Sequence, residues 1–104
     1  MAVKRILREF KQEIIKVYGR SLKKIILYGS WARGQATSES DIDILLVLEG
    51  KIVPGKEIDR IIDIVSNINL KYGVLISVYP VSERKYLKTD SPLLLNIRRE
   101  GIPA

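Results

Sequence analysis

Apolar residues recur along this chain with two different periods, and the switches between them lay out its elements. Val3, Ile6, Leu7, Phe10, Ile14, Val17 and Tyr18 return at helical spacing, and Gly19 follows as a stop. Residues 24–28 then read as a short buried strand that halts at Gly29. Residues 31–40 are rich in Gly, Ser, Thr and Gln, so they form a loop with room for one helical turn. Residues 41–48 make a second strand closed by Glu49-Gly50. After the turn at Pro54-Gly55, Ile58, Ile61, Ile62, Val65 and Ile68 mark a second helix that Gly73 ends. Residues 74–79 predict a third strand, halted at Pro80. Ser91-Pro92 is a favourable N-cap and first-turn pair for a last helix carrying Leu93, Leu94, Leu95 and Ile97, with Gly101 just past its end. The expected class is α/β (α+β), a small sheet of three or slightly more strands covered by helices.

At 104 residues the chain is expected to be a single domain, residues 1–104, with one core. It has no cysteine, which excludes disulfides, zinc-thiolate sites and thiol nucleophiles. It has no histidine either, which leaves carboxylates and hard cations as the available chemistry. The N-terminus lacks the apolar region of a signal peptide and no apolar run approaches membrane-spanning length, so the expectation is a cytoplasmic protein with no membrane partner. The abundance of Ile hints at a thermophilic source.

The net charge of +6 is carried entirely by residues 1–28, where eight Lys and Arg meet only Glu9 and Glu13. A solvated helix face accounts for this, and so does a docking surface for RNA, for substrate phosphates or for an acidic partner. No aromatic interleaving or RNA-binding signature accompanies the charge, so direct RNA binding is unsupported. Lys56 and the pair Arg84-Lys85 read as ordinary surface charges.

The most informative chemistry lies between the first two strands. Gly29-Ser30 closes one strand, and ten residues later Asp41 and Asp43 open the next. A small-residue turn can present backbone N–H groups to phosphate oxygens. Residues i and i+2 of a strand share a face, so Asp41 and Asp43 point the same way while Ile42, Ile44, Leu46 and Leu48 point into a core. Two neighbouring carboxylates repel unless a cation lies between them, and together they can hold the divalent metal that neutralises phosphates. Trp31 is expected to anchor the intervening loop. Arg33 is a candidate partner for phosphate and equally for a salt bridge that holds the loop.

Gly-Ser, ten residues, Asp-x-Asp is a spacing that resembles the minimal nucleotidyltransferases of the DNA polymerase β superfamily. Ala32-Arg33-Gly34, the Ser40-Asp41-Ile42-Asp43 context and the ending from Ser91-Pro92-Leu93 to Ile102 are similar to that family's common form. The resemblance implies the nucleotidyltransferase fold, with a mixed sheet covered by helices. It also implies nucleotide-binding roles for Gly29, Ser30 and Arg33, and catalytic Mg²⁺ ligation by Asp41 and Asp43. Stand-alone domains of this kind resemble the antitoxin half of two-gene systems whose other half is a helical HEPN toxin. That likeness implies transfer of AMP from ATP to a tyrosine of the toxin.

One position departs from the family pattern. Active members usually carry a third carboxylate on the next core strand, and alternation places Ser77 there. Glu83 and Asp90 lie beyond that strand and would substitute only through an unusual turn. Two readings stand at this point: a Mg²⁺-dependent adenylyltransferase, or a catalytically impaired module that neutralises its partner by binding alone. Adenylylation of a small molecule is a weaker third, because no acceptor-binding domain accompanies the motif.

Overall fold

A computed structural model describes residues 3–104. The first helix, α1, spans Val3–Tyr18, and a single 3₁₀ turn at Gly19–Ser21 leads into strand β1, Leu22–Tyr28. A second 3₁₀ turn, Gly29–Trp31, and a loop precede β2, Ile42–Leu48. Then come α2 (Pro54–Tyr72), β3 (Ile76–Ser82), α3 (Glu83–Lys88), α4 (Pro92–Glu100) and β4 (Ile102–Pro103). The sheet is mixed and four-stranded in the order β3-β2-β1-β4. β1 runs antiparallel to β2 and to β4, and β2 runs parallel to β3.

β2 is the centre of the molecule, and from Ile44 to Leu48 its residues are completely buried. Its pleat splits the apolar side chains between two layers. Ile42, Ile44, Leu46 and Leu48 face α1 and α2, where Ile6, Phe10, Ile14, Ile61 and Ile68 close the core, as the alternation predicts. Leu45 and Val47 face the other way, onto Ile26, Val81, Tyr86, Leu94 and Ile97 beneath α3 and α4. Asp43 belongs by the same alternation to this second face.

Polar contacts fix how the helices sit. Buried Glu57 accepts a hydrogen bond from the Tyr18 hydroxyl at 2.8 Å and pairs with Arg60 at 3.5 Å, which compensates its loss of water. Glu9 binds Lys71 at 2.9 Å and also accepts from the Tyr72 hydroxyl, tying α1 to α2. Asn69 accepts from the backbone N–H of Ile76 and sets the start of β3. Ser82 and Ser91 cap α3 and α4 through their hydroxyls.

Several element boundaries differ from the pattern. β1 begins at Leu22, two residues earlier than expected, and β2 begins at Ile42, leaving Asp41 just outside it. β3 begins at Ile76 and continues through Pro80 to Ser82. Proline is tolerated there because β3 is an edge strand, so its missing N–H costs no ladder bond on the open side. Of the expected helical stripes, Val17 and Ile62 are exposed (37% and 47%), so both buried faces are narrower than the sequence implies.

Candidate active site

The sheet register brings the two halves of the motif together. Tyr28, the last residue of β1, sits opposite Asp43 of β2, and Asp43 in turn sits opposite Ser77 of β3. Gly29 follows immediately with φ +73°, the left-handed region that favours glycine. A Cβ built there would collide with Asp43 Oδ2 and come within 3.3 Å of Cγ. The chain therefore needs glycine at position 29 twice, for its conformation and for the carboxylate seated against it.

Past Gly29 the backbone winds into a tight turn. Gly29 O accepts from Ala32 N at 3.1 Å and from Arg33 N at 3.2 Å, and Ser30 O accepts from Gln35 N at 2.9 Å. The leading N–H groups of such a turn have no acceptor within it, so they are available to an anion. Trp31 packs against the α1/α2 core, and its indole N–H donates to Ser40 O at 3.4 Å, closing the loop across its base. Thr37 and Ser40 brace the loop tip, with Thr37 N donating to Ser40 Oγ at 2.9 Å. The expected loop-anchor role of Trp31 agrees with these contacts.

Asp41 is exposed at the loop end, and Asp43 is half-buried. Burial first, and the charge of Asp41 second, push the Asp43 carboxyl above the ordinary Asp range, while the charge of Arg33 acts in the opposite direction. Arg33 is exposed, donates from Nε to Gln35 at 3.2 Å and lies 4.0 Å from Glu100 on α4. It thus lies near enough to influence Asp43 while holding the loop to α4. The donor set fits a hard cation, because two oxygen ligands stand together and one of them is destabilised in its charged form.

No third carboxylate joins them. Among the described residues no three acidic side chains converge on one point. Ser77 occupies the place beside Asp43 and is exposed. Glu83 begins α3 beyond Ser82, the partner of Leu48 at the far end of β2. At about 3.3 Å per residue that lies some 20 Å along the sheet from Ser77. Asp90 is held by Arg98 at 2.6 Å.

Sequence reasoning missed two tyrosines and two residues of α4 beside the site. Tyr28 borders the site opposite Asp43, and Tyr79 lies two residues past Ser77 on β3. Burial, then the charges of Asp43 and Tyr79, raise the Tyr28 hydroxyl above its usual range. A cavity of about 200 Å³ opens beside Gly29, lined also by Tyr28, Arg33, Leu93, Asn96 and Glu100. Tyr28 was findable from its place before Gly29 once the strands are paired. Asn96 and Glu100 carry no sequence signal, because only the packing of α4 brings them here.

Comparison with known proteins shows the family and the fold. The family described as nucleotidyltransferase domain matches residues 3–99. A Methanocaldococcus jannaschii protein named "Putative protein adenylyltransferase" is 39% identical over 90 residues, covering 86% of this chain and 88% of that protein. Among solved structures, a Sulfolobus solfataricus protein described as a "putative nucleotidyltransferase" superposes with a TM-score of 0.63 at 17% identity, covering 95% of this chain and 76% of that one. A toxin-antitoxin crystallised with AMP-PNP superposes with a TM-score of 0.60 at 18% identity, covering 90% and 68%. At these identities the two structures speak for the fold alone. No helix among the described residues is long and apolar enough to cross a membrane.

Proposed function

This chain belongs to the nucleotidyltransferase domain family, and from that premise we propose that it moves AMP from ATP onto a tyrosine hydroxyl of a HEPN-type toxin and thereby acts as antitoxin. The observation that carries the reading is the seat of Asp43 against Gly29, which brings the small-residue turn after β1 against one of the two paired carboxylates. The name of the Methanocaldococcus relative supports protein as acceptor, and the toxin-antitoxin bound to AMP-PNP supports an adenine nucleotide and a toxin partner.

In this reading the Gly29-Ser30 turn holds the triphosphate through backbone N–H groups and the Ser30 hydroxyl. Arg33 adds a cation on the loop side of the same phosphates. Asp41 and Asp43 would hold Mg²⁺, which when bound supplies charge neutralisation and in-line orientation at the α-phosphorus. Burial and the neighbouring Asp41 make ionised Asp43 costly, so a bound cation relieves the strain those residues create. The acceptor comes from outside, because a protein partner can bring its own hydroxyl to the site and orient it. The hydroxyl oxygen bonds to the α-phosphorus as the α–β phosphoanhydride bond breaks, pyrophosphate leaves and the hydroxyl proton passes to solvent.

A second reading has its own observation. Ser77 stands beside Asp43 where a third carboxylate would complete the site, which favours a module that silences its partner by binding alone. The two separate in one experiment: the toxin is incubated with this protein, Mg²⁺ and α-labelled ATP, and modified peptides are mapped. Label on a tyrosine, lost with Asp43→Asn, supports transfer. An unlabelled but silenced toxin in a stable complex overturns transfer in favour of binding.

A further inference from the structure

The excess positive charge of residues 1–28 gathers at one groove. Cavities of about 590 and 530 Å³ share Lys11, Pro103 and Ala104 and together run between α1 and the β4 edge of the sheet. Lys4, Arg8, Lys11, Lys23, Lys24 and Arg98 line this groove, and no Asp or Glu side chain does. Lys23 pairs with Glu49 at 3.8 Å and Arg98 with Asp90 at 2.6 Å. Among the described residues, Lys4, Arg8, Lys11 and Lys24 have no carboxylate within 4.0 Å. Between the cations the walls are mainly aliphatic, with Trp31 and Tyr86 the aromatic residues among them, and Ile15 and Ile102 are each 46% exposed.

We infer that this groove docks an acidic amphipathic helix of the partner protein, an inference that rests on the reading above that a partner supplies the acceptor hydroxyl. A helix fits better than an added strand. The β1 edge here carries Lys23 and Lys24 beside an irregularity in its pairing, and β4 is a two-residue strand ending in Pro103, all features that discourage strand addition. The groove follows α1, whose 16 residues span about 24 Å, room for roughly four turns of a helix lying alongside. Protein fits better than RNA, because the walls are mainly aliphatic and the aromatic residues are engaged. Trp31 is partly buried against the core with its indole N–H bonded, and Tyr86 is buried. Position links the groove to chemistry: Trp31 lines its upper end and directly follows Ser30, so a docked partner is held next to the candidate site.

The test uses two probes, the toxin and a synthetic helix with Leu at i, i+3 and i+4 spacing and Glu elsewhere. Lys11→Glu/Lys24→Glu is expected to weaken binding of both by about tenfold or more, and Lys11→Gln/Lys24→Gln by a smaller factor. Raising salt to about 0.5 M weakens the native protein toward the level of the Gln variant, since screening shortens the reach of exposed charges. Asp43→Asn binds both probes as the native protein does. Unchanged binding by the reversed variant overturns the docking site, as does tighter binding of a single-stranded RNA oligonucleotide than of the acidic helix. Affinity for AMP-PNP with Mg²⁺, measured on the same variants, reports separately on the nucleotide site: its absence in the native protein would defeat the transferase reading and leave the docking result to stand or fall by itself.

Discussion

Replacing Gly29 with alanine adds one methyl group and tests the two reasons for glycine at that position. Gly34 provides the control, because its φ of +71° nearly equals the +73° of Gly29. A Cβ on Gly34 meets nothing within 4 Å, whereas one on Gly29 collides with Asp43 Oδ2. Left-handed backbone costs an L side chain roughly 1–2 kcal/mol. Both variants should therefore lose stability on that scale, a fall in Tm of about 4–16 °C for a domain near 100 residues. Only Gly29→Ala also has to push the Asp43 carboxylate away from the turn. Differential scanning calorimetry reads the first effect, and isothermal titration with AMP-PNP and Mg²⁺ reads the second. Gly34→Ala should keep the native affinity within about threefold, and Gly29→Ala should lose about tenfold or more, equivalent to roughly 1.4 kcal/mol. Equal affinities in the two variants would refute the claim that Gly29 seats Asp43 for nucleotide binding.

Asp43→Asn should raise stability. The folded state lifts the Asp43 carboxyl above its ordinary range, so it binds the proton more tightly than the unfolded chain does and ionised Asp43 costs folding energy. That cost is absent below the unfolded value, grows as pH rises through the folded one, and persists at neutral pH. The Tm advantage of Asp43→Asn should therefore widen across that interval, and an advantage that narrows with rising pH contradicts the assignment. Ser77→Asp would put a third carboxylate next to Asp43, so it should lower Tm without metal, tighten Mg²⁺ binding and increase label transfer. No gain in metal affinity would show that position 77 does not face the site. Tyr18→Phe removes a hydrogen bond to buried Glu57 and should cost about 1.5–3 kcal/mol by urea denaturation. A loss below about 0.5 kcal/mol would mean that Arg60 or water satisfies Glu57 unaided.

Much of the fold is legible because periodicity reports burial. Residues 42–48 alternate between two helix-covered faces, and both faces are apolar past Asp43, which identifies the central strand. Signals weaken where burial does. α3 buries only Tyr86, and β4 contributes two exposed residues, so neither leaves a readable stripe. Pro80 misleads because proline excludes a residue from central strands, and only the sheet order shows β3 to be an edge. The candidate site was legible where its residues are close in sequence, from Gly29 to Asp43. The absence of a third carboxylate was legible too, because the family resemblance sets the expectation of one on the next strand, alternation puts Ser77 in that place, and the register aligns it with Asp43. Tyr79, Asn96 and Glu100 were not legible, because their approach depends on how β3 and α4 pack onto the second face of the sheet.

The central claim is nucleotidyl transfer, and the most direct test follows which phosphate of ATP ends up on the partner toxin. Parallel reactions with Mg²⁺ carry either α-labelled or γ-labelled ATP. The account predicts label on the toxin from the α-phosphate only, and none with Asp43→Asn. Label from the γ-phosphate, or no label on a toxin that still forms the complex, would contradict it.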